Sequence, residues 1–349
     1  MHTEYDPSKS RCGLITFLVR RTLFAVFTSF VISIIAFISI TLPPGDFATT
    51  YVQELLGFGQ GSGATGGILG DPAIEKMIRE AYGLDKPVVV QYLKWLWRVV
   101  QLDFGIGLEA QRKITEVIGQ RLVNTIILAV GTIVFTWMLA VPIGIYSAVK
   151  HNSPGDYAAT FIGFLGLAVP DFLLALGLMW IGFAYFGLSI GGLYSPQYLE
   201  AAWSFGRVID LLKHLWIPAI VLGTAGTAGL IRILRNNLLD ELAKPYVVAA
   251  RARGLSEWKL VLKYPVRMAL NPCISTLGYL FPFLLSGSVI VSVVLSLPTL
   301  GPTLLRALMA EDLFLAATIV LMLGILTVVG TLISDILLVL FDPRIRLEG

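Results

Sequence analysis

The chain has 349 residues, of which 56% are hydrophobic and only 14% are charged, and its mean hydropathy is +0.79. This composition is too apolar for a soluble domain of that length and indicates a membrane protein. The formal net charge of +3 is close to balance and argues against a nucleic-acid partner. Two cysteines, Cys12 and Cys273, are too few for a disulfide framework or a metal cluster.

Six apolar runs are candidates for transmembrane helices, because about 20 helical residues cross the roughly 30 Å hydrocarbon layer. In chain order these runs are residues 22–42, 122–149, 157–188, 215–231, 273–297 and 314–340. The first is longer than a signal-peptide core and lacks a small-residue cleavage site, so we interpret it as a retained signal anchor. The sequence therefore predicts an all-α integral membrane protein with six transmembrane helices.

Basic residues concentrate in three segments that six spans place on one side of the membrane: 1–21, 236–271 and 341–349. The positive-inside rule makes that side the cytoplasm, so both termini are predicted to be cytoplasmic. The predicted organisation is a cytoplasmic N-terminal segment at 1–21, a first transmembrane helix at 22–42, an extracytoplasmic loop at 43–121, a five-helix core at 122–340 containing the basic loop 236–271, and a cytoplasmic tail at 341–349.

The predicted outer loop has two different parts. Seven glycines between Gly57 and Gly70 make the first part flexible. Residues 88–104 mix aliphatic with aromatic side chains, which suits a helix at the membrane–water boundary. The sequence leaves two roles open for this second part: a docking platform for an extracytoplasmic partner, or an anchor at the membrane surface.

Motifs of the common enzyme classes are absent from the sequence. The phosphate-binding pattern G-x-x-x-x-G-K-[ST], the zinc pattern H-E-x-x-H and the nucleophile pattern G-x-S-x-G do not occur. The three histidines, His2, His151 and His214, are too scattered to suggest a shared metal. We therefore predict that this chain has no catalytic residues, no metal site and no nucleotide site of its own.

Two carboxylates lie inside predicted spans, where charges are costly and usually face protein or a wet cavity. Asp171 lies about 21 Å along its span from the cytoplasmic end and Asp335 about 9 Å, so the two cannot form an aspartyl-protease pair. Asp171 follows Pro170, which loosens the helix; it either lines a transport pathway or belongs to a structural ion pair or kink. Asp335 is predicted to pair, in a structural role, with a basic residue of the loop 236–271 or of the fourth span's end, where Arg232 and Arg235 lie.

The fourth predicted span carries unusually small side chains on one face. Gly223, Gly226 and Gly229 are separated only by alanine and threonine. Small residues let membrane helices approach closely. This pattern indicates either a helix that slides past its neighbours or static close packing.

The stretch from Tyr246 to Pro272 is a polar, helix-compatible loop between two apolar runs, and it carries five basic residues: Arg251, Arg253, Lys259, Lys263 and Arg267. It contains the pattern A-A-x-x-x-G, formed by Ala249, Ala250 and Gly254, and is predicted to close at Pro272. The pattern resembles the cytoplasmic coupling loop of ABC importer permeases. The letters A-R-A-R-G-L-S are similar to those of the oligopeptide/dipeptide-type branch.

Further motifs extend this resemblance over nearly the whole chain. They are Gly83 to Pro87, Gln91 to Leu93, Asp103 to Gly105, Pro142 to Gly144, Pro170, Arg232, Arg235, Pro298, Gly301, Asp312, Asp335 and Asp342 to Arg346. The resemblance implies a type I ABC importer fold in a bacterial or archaeal inner membrane. It also implies four kinds of protein or lipid partner: a paralogous permease, two ATP-binding subunits that hold ATP and Mg, an extracytoplasmic solute-binding protein and membrane lipid.

In that family the loop forms two short helices that seat in a cleft of the ATPase. The resemblance therefore assigns coupling to Tyr246, Ala249, Ala250, Arg251, Arg253, Gly254 and Leu255. Small side chains at the two alanines let the helix seat, and Gly254 allows a sharp reversal between the helices.

The chain departs from the family pattern at several positions: Val248, Tyr264, Met268, Ser292 and Thr299. These changes leave the coupling role in place and the substrate open among peptides, nickel complexes, opines and oligosaccharides. The main alternative class is a secondary transporter or channel, for which we expect more buried ionisable groups and matched broken helices. An intramembrane enzyme is a more distant alternative.

Overall fold

The computed structural model describes residues 7–42, 48–49, 72–108, 111–187, 191–199 and 201–341. Apart from one isolated bridge between Ile106 and Lys113, the regular structure of these residues is helical. The helices are α1 (Pro7–Thr41), α2 (Pro72–Tyr82), α3 (Val88–Val100), α4 (Ile114–Val149), α5 (Pro154–Ala168), α6 (Asp171–Phe186), α7 (Phe205–Leu242), α8 (Pro245–Ala252), α9 (Glu257–Lys263), α10 (Pro265–Val294), α11 (Leu300–Met309) and α12 (Leu313–Phe341).

Four helical stretches among the described residues are long and apolar enough to cross a membrane: Val19–Thr41 within α1, α4, α7 and Leu313–Leu340 within α12. The pair formed by α5 and α6 makes a fifth candidate if it is counted as one broken span. The remaining predicted span, the fifth at 273–297, falls on α10. The all-α, multi-pass architecture is confirmed, and the count of six is consistent with the structure and stays a prediction.

The third predicted span, 157–188, is wrong as a single helix. The chain forms α5 and α6, which are bent by 102° at the break between Ala168 and Asp171. Val169 is extended, with φ −87° and ψ 124°, because a residue before proline is pushed out of the helical region. Pro170 also lacks the backbone donor that a continuing helix needs.

The predicted boundaries around the fourth and fifth spans are also wrong. α7 is 38 residues long, whereas the prediction gave only 215–231. Its start is fixed by Ser204, whose hydroxyl accepts a hydrogen bond from the Arg207 backbone N–H. α10 begins at Pro265, in the first helical turn where proline is tolerated, so Pro272 lies inside the helix and does not close the loop.

The chain divides into two compact units. The first comprises Met1–Phe24, Asn124–Pro298 and Thr327–Gly349; the second comprises Ala25–Val123 and Thr299–Leu326. The glycine-rich part of the predicted outer loop and the predicted tail beyond Phe341 lie outside the described residues.

In the first unit, α7 is the central helix and packs against α5, α6 and α10. One end of α7 carries a polar cluster: the Arg207 guanidinium lies 4.7 Å from both the Tyr194 and the Trp203 ring centroids. One turn on, Asp210 accepts hydrogen bonds from the backbone N–H and hydroxyl of Ser195, at 2.7 and 2.6 Å. Farther along its length, α7 contributes side chains to two buried apolar clusters.

The glycines of α7 differ in their surroundings. A Cβ at Gly223 would lie 3.0 Å from the Phe135 ring and from the Thr136 hydroxyl, and that hydroxyl donates to the Gly223 carbonyl at 3.4 Å. A Cβ at Gly229 would meet nothing within 4 Å. Close packing of α4 on α7 therefore explains Gly223, and it does not explain Gly229.

In the second unit, α3 packs against α1 and the start of α12. Phe37, Trp95 and Leu321 are buried together, and the Trp95 indole N–H donates to the Thr318 hydroxyl at 3.2 Å. A second cluster joins α11 to the beginnings of α4 and α12. The carboxylate of Asp312, which is fully buried, accepts hydrogen bonds from the backbone N–H groups of Leu108 and Leu315 and so fixes the turn into α12.

Candidate functional site

The segment between α7 and α10 contains two short helices, as the family resemblance implied. Pro245 opens α8 after the extended residue Lys244, and Ser256 precedes α9. Between them Gly254 has φ +77°, in the left-handed region that glycine enters most readily. A Cβ at this position would meet nothing within 4 Å, so the preference for glycine comes from the backbone conformation and not from crowding. We call residues 244–264 the coupling segment.

The inner face of the coupling segment is fixed to the first unit's core. Val247, Leu260 and Val261 are buried in one apolar cluster with Leu234 and Leu238 of α7. Burying each such side chain contributes about 1.5–3 kcal/mol relative to exposing it. The segment is therefore packed against the helices of the first unit.

Hydrogen bonds hold both ends of the coupling segment. The Glu241 carboxylate, at the end of α7, accepts from the Lys244 ammonium at 2.5 Å and from the Tyr246 hydroxyl at 2.6 Å. Burial, followed by this contact with Glu241, raises the pKa of Tyr246 above its ordinary value, so its hydroxyl stays a donor. Across the glycine turn, Arg251 of α8 forms a two-point ion pair with Glu257 of α9, which lowers the pKa of the Glu257 carboxyl.

The outer face of the segment exposes apolar and basic side chains side by side. Trp258 is 63% exposed and Val248 57%, and further exposed apolar residues are Tyr246, Leu255, Leu262 and Tyr264. Ala249, Arg251 and Arg253 are also exposed, whereas Ala250 packs partly against the core. An apolar patch edged with charge is typical of a protein–protein interface.

Sequence reasoning missed Trp258, whose indole is the largest exposed side chain of the coupling segment. The available signal was the periodicity of residues 257–263. Leu260 and Val261 occupy the buried face of a short helix, which leaves Trp258 and Leu262 on the opposite face. The family resemblance rests on the preceding A-A-x-x-x-G pattern, which does not include Trp258.

The predicted ion-pair partners of Asp335 are wrong. Its carboxylate pairs with the Arg21 guanidinium of α1 at 3.0 Å, and not with Arg232 or Arg235. Helices far apart in sequence are neighbours here, and charge alone did not distinguish α1 from α7 as the partner.

Arg235 does form an ion pair, with a residue that the sequence analysis passed over. Its guanidinium donates from Nε and Nη2 to the two oxygens of Asp156, both at 2.8 Å. Asp156 is 1% exposed and lies in the first turn of α5, just before the predicted start of that span. Arg232 instead lies over the Phe164 ring, 4.8 Å from its centroid.

Asp171 is the first residue of α6 and is half-buried beside the exposed Pro170. Among the residues that the structure describes it has no hydrogen-bond or ion-pair partner. A carboxylate in the first turn of a helix is favoured by the helix dipole. Within the same described residues, no group of three histidine, cysteine or acidic residues is arranged to hold a metal ion.

These features together define a class of protein. They describe a multi-pass helical membrane protein in which a two-helix segment exposes an apolar and basic face. Residues 140–347 match the family model "Binding-protein-dependent transport system inner membrane component", and residues 14–129 match the N-terminal model of the same systems. The chain belongs to this family, the inner-membrane permeases of ABC importers.

Two relatives agree with this assignment over almost their whole length. The chain is 34% identical to the oligopeptide transport system permease protein AppB of Bacillus subtilis, over 95% of this chain and 99% of that protein. It is 28% identical to the glutathione transport system permease protein GsiC of Salmonella paratyphi A, over the same shares. This chain is therefore a multi-pass inner-membrane permease subunit.

Proposed function

We propose that this chain forms half of the translocation pathway of an importer for oligopeptides or a related solute. Its proposed partners are a paralogous permease, two ATP-binding subunits and an extracytoplasmic solute-binding protein. The similarity to oligopeptide and glutathione permeases supports the substrate class. The basic residues of the coupling segment support a cytoplasmic position for it and for both termini.

The observation that carries this proposal is the division of the coupling segment into two faces. Val247, Leu260 and Val261 fix it to the core, while Trp258 and Val248 remain exposed for a partner. A segment that is packed against the core on one face and exposed on the other transmits a displacement while keeping its own fold. The partner ATPases hold ATP and Mg; their closure supplies the displacement, and hydrolysis reverses it.

The first test is reconstitution of the chain with and without its proposed partners. The purified chain is expected to hydrolyse no ATP. The complete complex is expected to hydrolyse ATP faster when loaded binding protein is added, because coupling between the two sides is reciprocal in free energy. ATP turnover by the isolated chain would contradict the proposal. Solute accumulation by that chain in ATP-free vesicles under an ion gradient would favour a secondary transporter.

A matched pair of variants connects this test to the coupling segment. Trp258→Ala is expected to weaken retention of the ATPase subunits about tenfold or more, as loss of an aromatic interface residue commonly does. Phe205→Ala removes an aromatic side chain that is 82% exposed at the opposite end of α7 and should leave retention unchanged. Equal retention of the ATPase subunits by both variants would show that Trp258 is not part of the interface.

Asp171 provides a separate prediction about the pathway. Its half-buried carboxylate has no partner in the described chain, so Asp171→Asn removes a charge and breaks no observed contact. We expect uptake rate or selectivity to change while the thermal stability of the complex stays the same. A lower yield of complex before any change in selectivity would show a structural role. Unchanged uptake and stability together would exclude both roles.

A further inference from the structure

The second unit contains a cavity of about 810 Å³ beside α3. Its charged lining consists of four cations and two carboxylates: Lys86, Lys94, Arg98, Lys113, Glu80 and Asp103. This volume lies within the range of small-molecule sites and is much larger than a single inorganic anion requires.

The two carboxylates have other partners. Glu80 lies 3.9 Å from the Lys76 ammonium, outside the cavity lining. Asp103 accepts a hydrogen bond from the Gly105 backbone N–H at 3.1 Å. The four cations form no ion pair within the part of the chain that the structure describes. The cavity therefore presents an excess of positive charge to any ligand.

Two of these cations are held close together. The Lys86 ammonium is the main reason that the pKa of Lys94 is lowered, since like charges disfavour each other's charged form. The position of Lys86 is fixed by Gln91, a buried side chain whose amide donates to the Lys86 carbonyl at 2.8 Å and to the Leu84 carbonyl at 3.2 Å. A bound anion would reduce the repulsion between Lys86 and Lys94, and the backbone that carries Lys86 is already held in place by Gln91.

An apolar stripe runs along α3 next to the cavity. Val89, Leu93, Trp97 and Val100 recur at helical spacing and are between 57% and 69% exposed. Lys94 and Arg98 follow Leu93 and Trp97 in sequence and so flank this stripe one step around the helix. Apolar side chains flanked by cations on one surface helix are typical of contact with anionic lipid.

The packing of α3 places this surface near the end of a membrane span. Tyr92 shares a hydrogen bond of 2.9 Å with Ser33, and the Trp95 ring centroid lies 5.6 Å from that of Phe37. Ser33 and Phe37 are about 12 and 6 Å before Thr41, where the candidate span in α1 ends. These contacts place α3 beside roughly the last 12 Å of that span, next to the boundary between the hydrocarbon layer and the headgroups.

We propose that the cavity beside α3 binds the phosphate headgroup of an anionic phospholipid, with its acyl chains lying along the Val89–Val100 stripe. Lys86, Lys94, Arg98 and Lys113 form the phosphate site through charge-assisted hydrogen bonds. The helix predicted at residues 88–104 then has a preference for anionic phospholipid, in addition to a general affinity for the membrane surface. A soluble phosphate satisfies the cations alone, and only an amphipathic anion satisfies the cations and the stripe together.

The test is native mass spectrometry of the intact complex taken from nanodiscs that hold equal amounts of phosphatidylglycerol and phosphatidylcholine. The unaltered complex is expected to retain phosphatidylglycerol about tenfold or more over phosphatidylcholine. Lys94→Gln/Arg98→Gln should remove most of that preference. Lys150→Gln/Lys213→Gln removes the same charge elsewhere and should keep it. Lys94→Arg/Arg98→Lys, which preserves both charges, should keep it as well and shows that the site still folds.

Two further arms identify the ligand. Glycerol phosphate has the headgroup without the chains, and if it displaces the lipid at concentrations comparable with the lipid's own, the site is for a soluble anion and the proposal fails. Trp97→Ser should lower total lipid retention while the headgroup preference survives. If Lys94→Gln/Arg98→Gln leaves lipid retention unchanged and lowers binding-protein association instead, the cavity receives a protein carboxylate and the lipid proposal is overturned.

Discussion

Replacing Gly254 by valine is expected to lower ATP-driven uptake about tenfold or more, while membrane insertion and assembly of the permease continue. The backbone at this position has φ +77°. An L-residue there costs about 1–2 kcal/mol, and a β-branched side chain more. Each 1.4 kcal/mol removes about a factor of ten from the population of the required turn.

The expected defect lies in coupling because the turn sets the angle between α8 and α9. When the turn opens, the ion pair between Arg251 and Glu257 is lost and the exposed face of the segment no longer has one shape. The buried residues Val247 and Leu260 still hold each helix to the core, so the membrane domain remains folded.

The control is Gly254→Asn, since asparagine tolerates left-handed backbone better than other side chains. No atom lies within 4 Å of a Cβ at this site, so a clash at the Cβ does not contribute to the difference between the valine and asparagine variants. Uptake and stimulated ATP hydrolysis in reconstituted vesicles measure the effect. Normal uptake by the valine variant would mean that the turn is not part of the coupling device.

Replacing Arg235 by leucine is expected to produce the largest loss of stability among the variants considered. The change leaves the Asp156 carboxylate, 1% exposed, without its two 2.8 Å contacts. Removing one partner of a buried ion pair typically costs about 3–5 kcal/mol. We expect a marked fall in the yield of folded protein and in its thermal unfolding temperature in detergent.

Two variants separate the ion pair from other causes. Arg232→Leu removes a neighbouring guanidinium that lies over the Phe164 ring, and its loss should cost about 0.5–2 kcal/mol. Asp156→Leu/Arg235→Leu removes both charges and should recover most of the stability, because well-packed apolar residues often replace a buried pair at little cost. Equal damage in the single and double variants would show that charge pairing is not the reason.

The apolar runs of the sequence predicted the helical class, and the resemblance to ABC importer permeases implied the two short helices of the coupling segment. The end of α4 at Val149 and the extent of α12 follow directly from uninterrupted apolar runs. The positive φ of Gly254 follows from glycine's place between two short amphipathic stretches. Such features are encoded within a few turns of chain.

Features that depend on distant partners were not predictable from one sequence. Arg235, near the end of α7, pairs with Asp156, which lies 79 residues away in the sequence. At the other end, Arg207 lies against the distant Tyr194 ring as well as against Trp203, which is close in the sequence. The pairing of Asp335 with Arg21 joins the last helix to the first. The break before Asp171 is different: its signal, Pro170, was noticed, and the apolar run on both sides concealed how large the bend is.

The length of α7 has a mechanical consequence. At 38 residues it is a rod of about 57 Å, and its single proline, Pro218, divides it into arms of roughly 20 and 36 Å. The coupling segment at one end of α7 and the Arg207 cluster at the other are therefore joined by one continuous helix, with no relay of separate contacts between them.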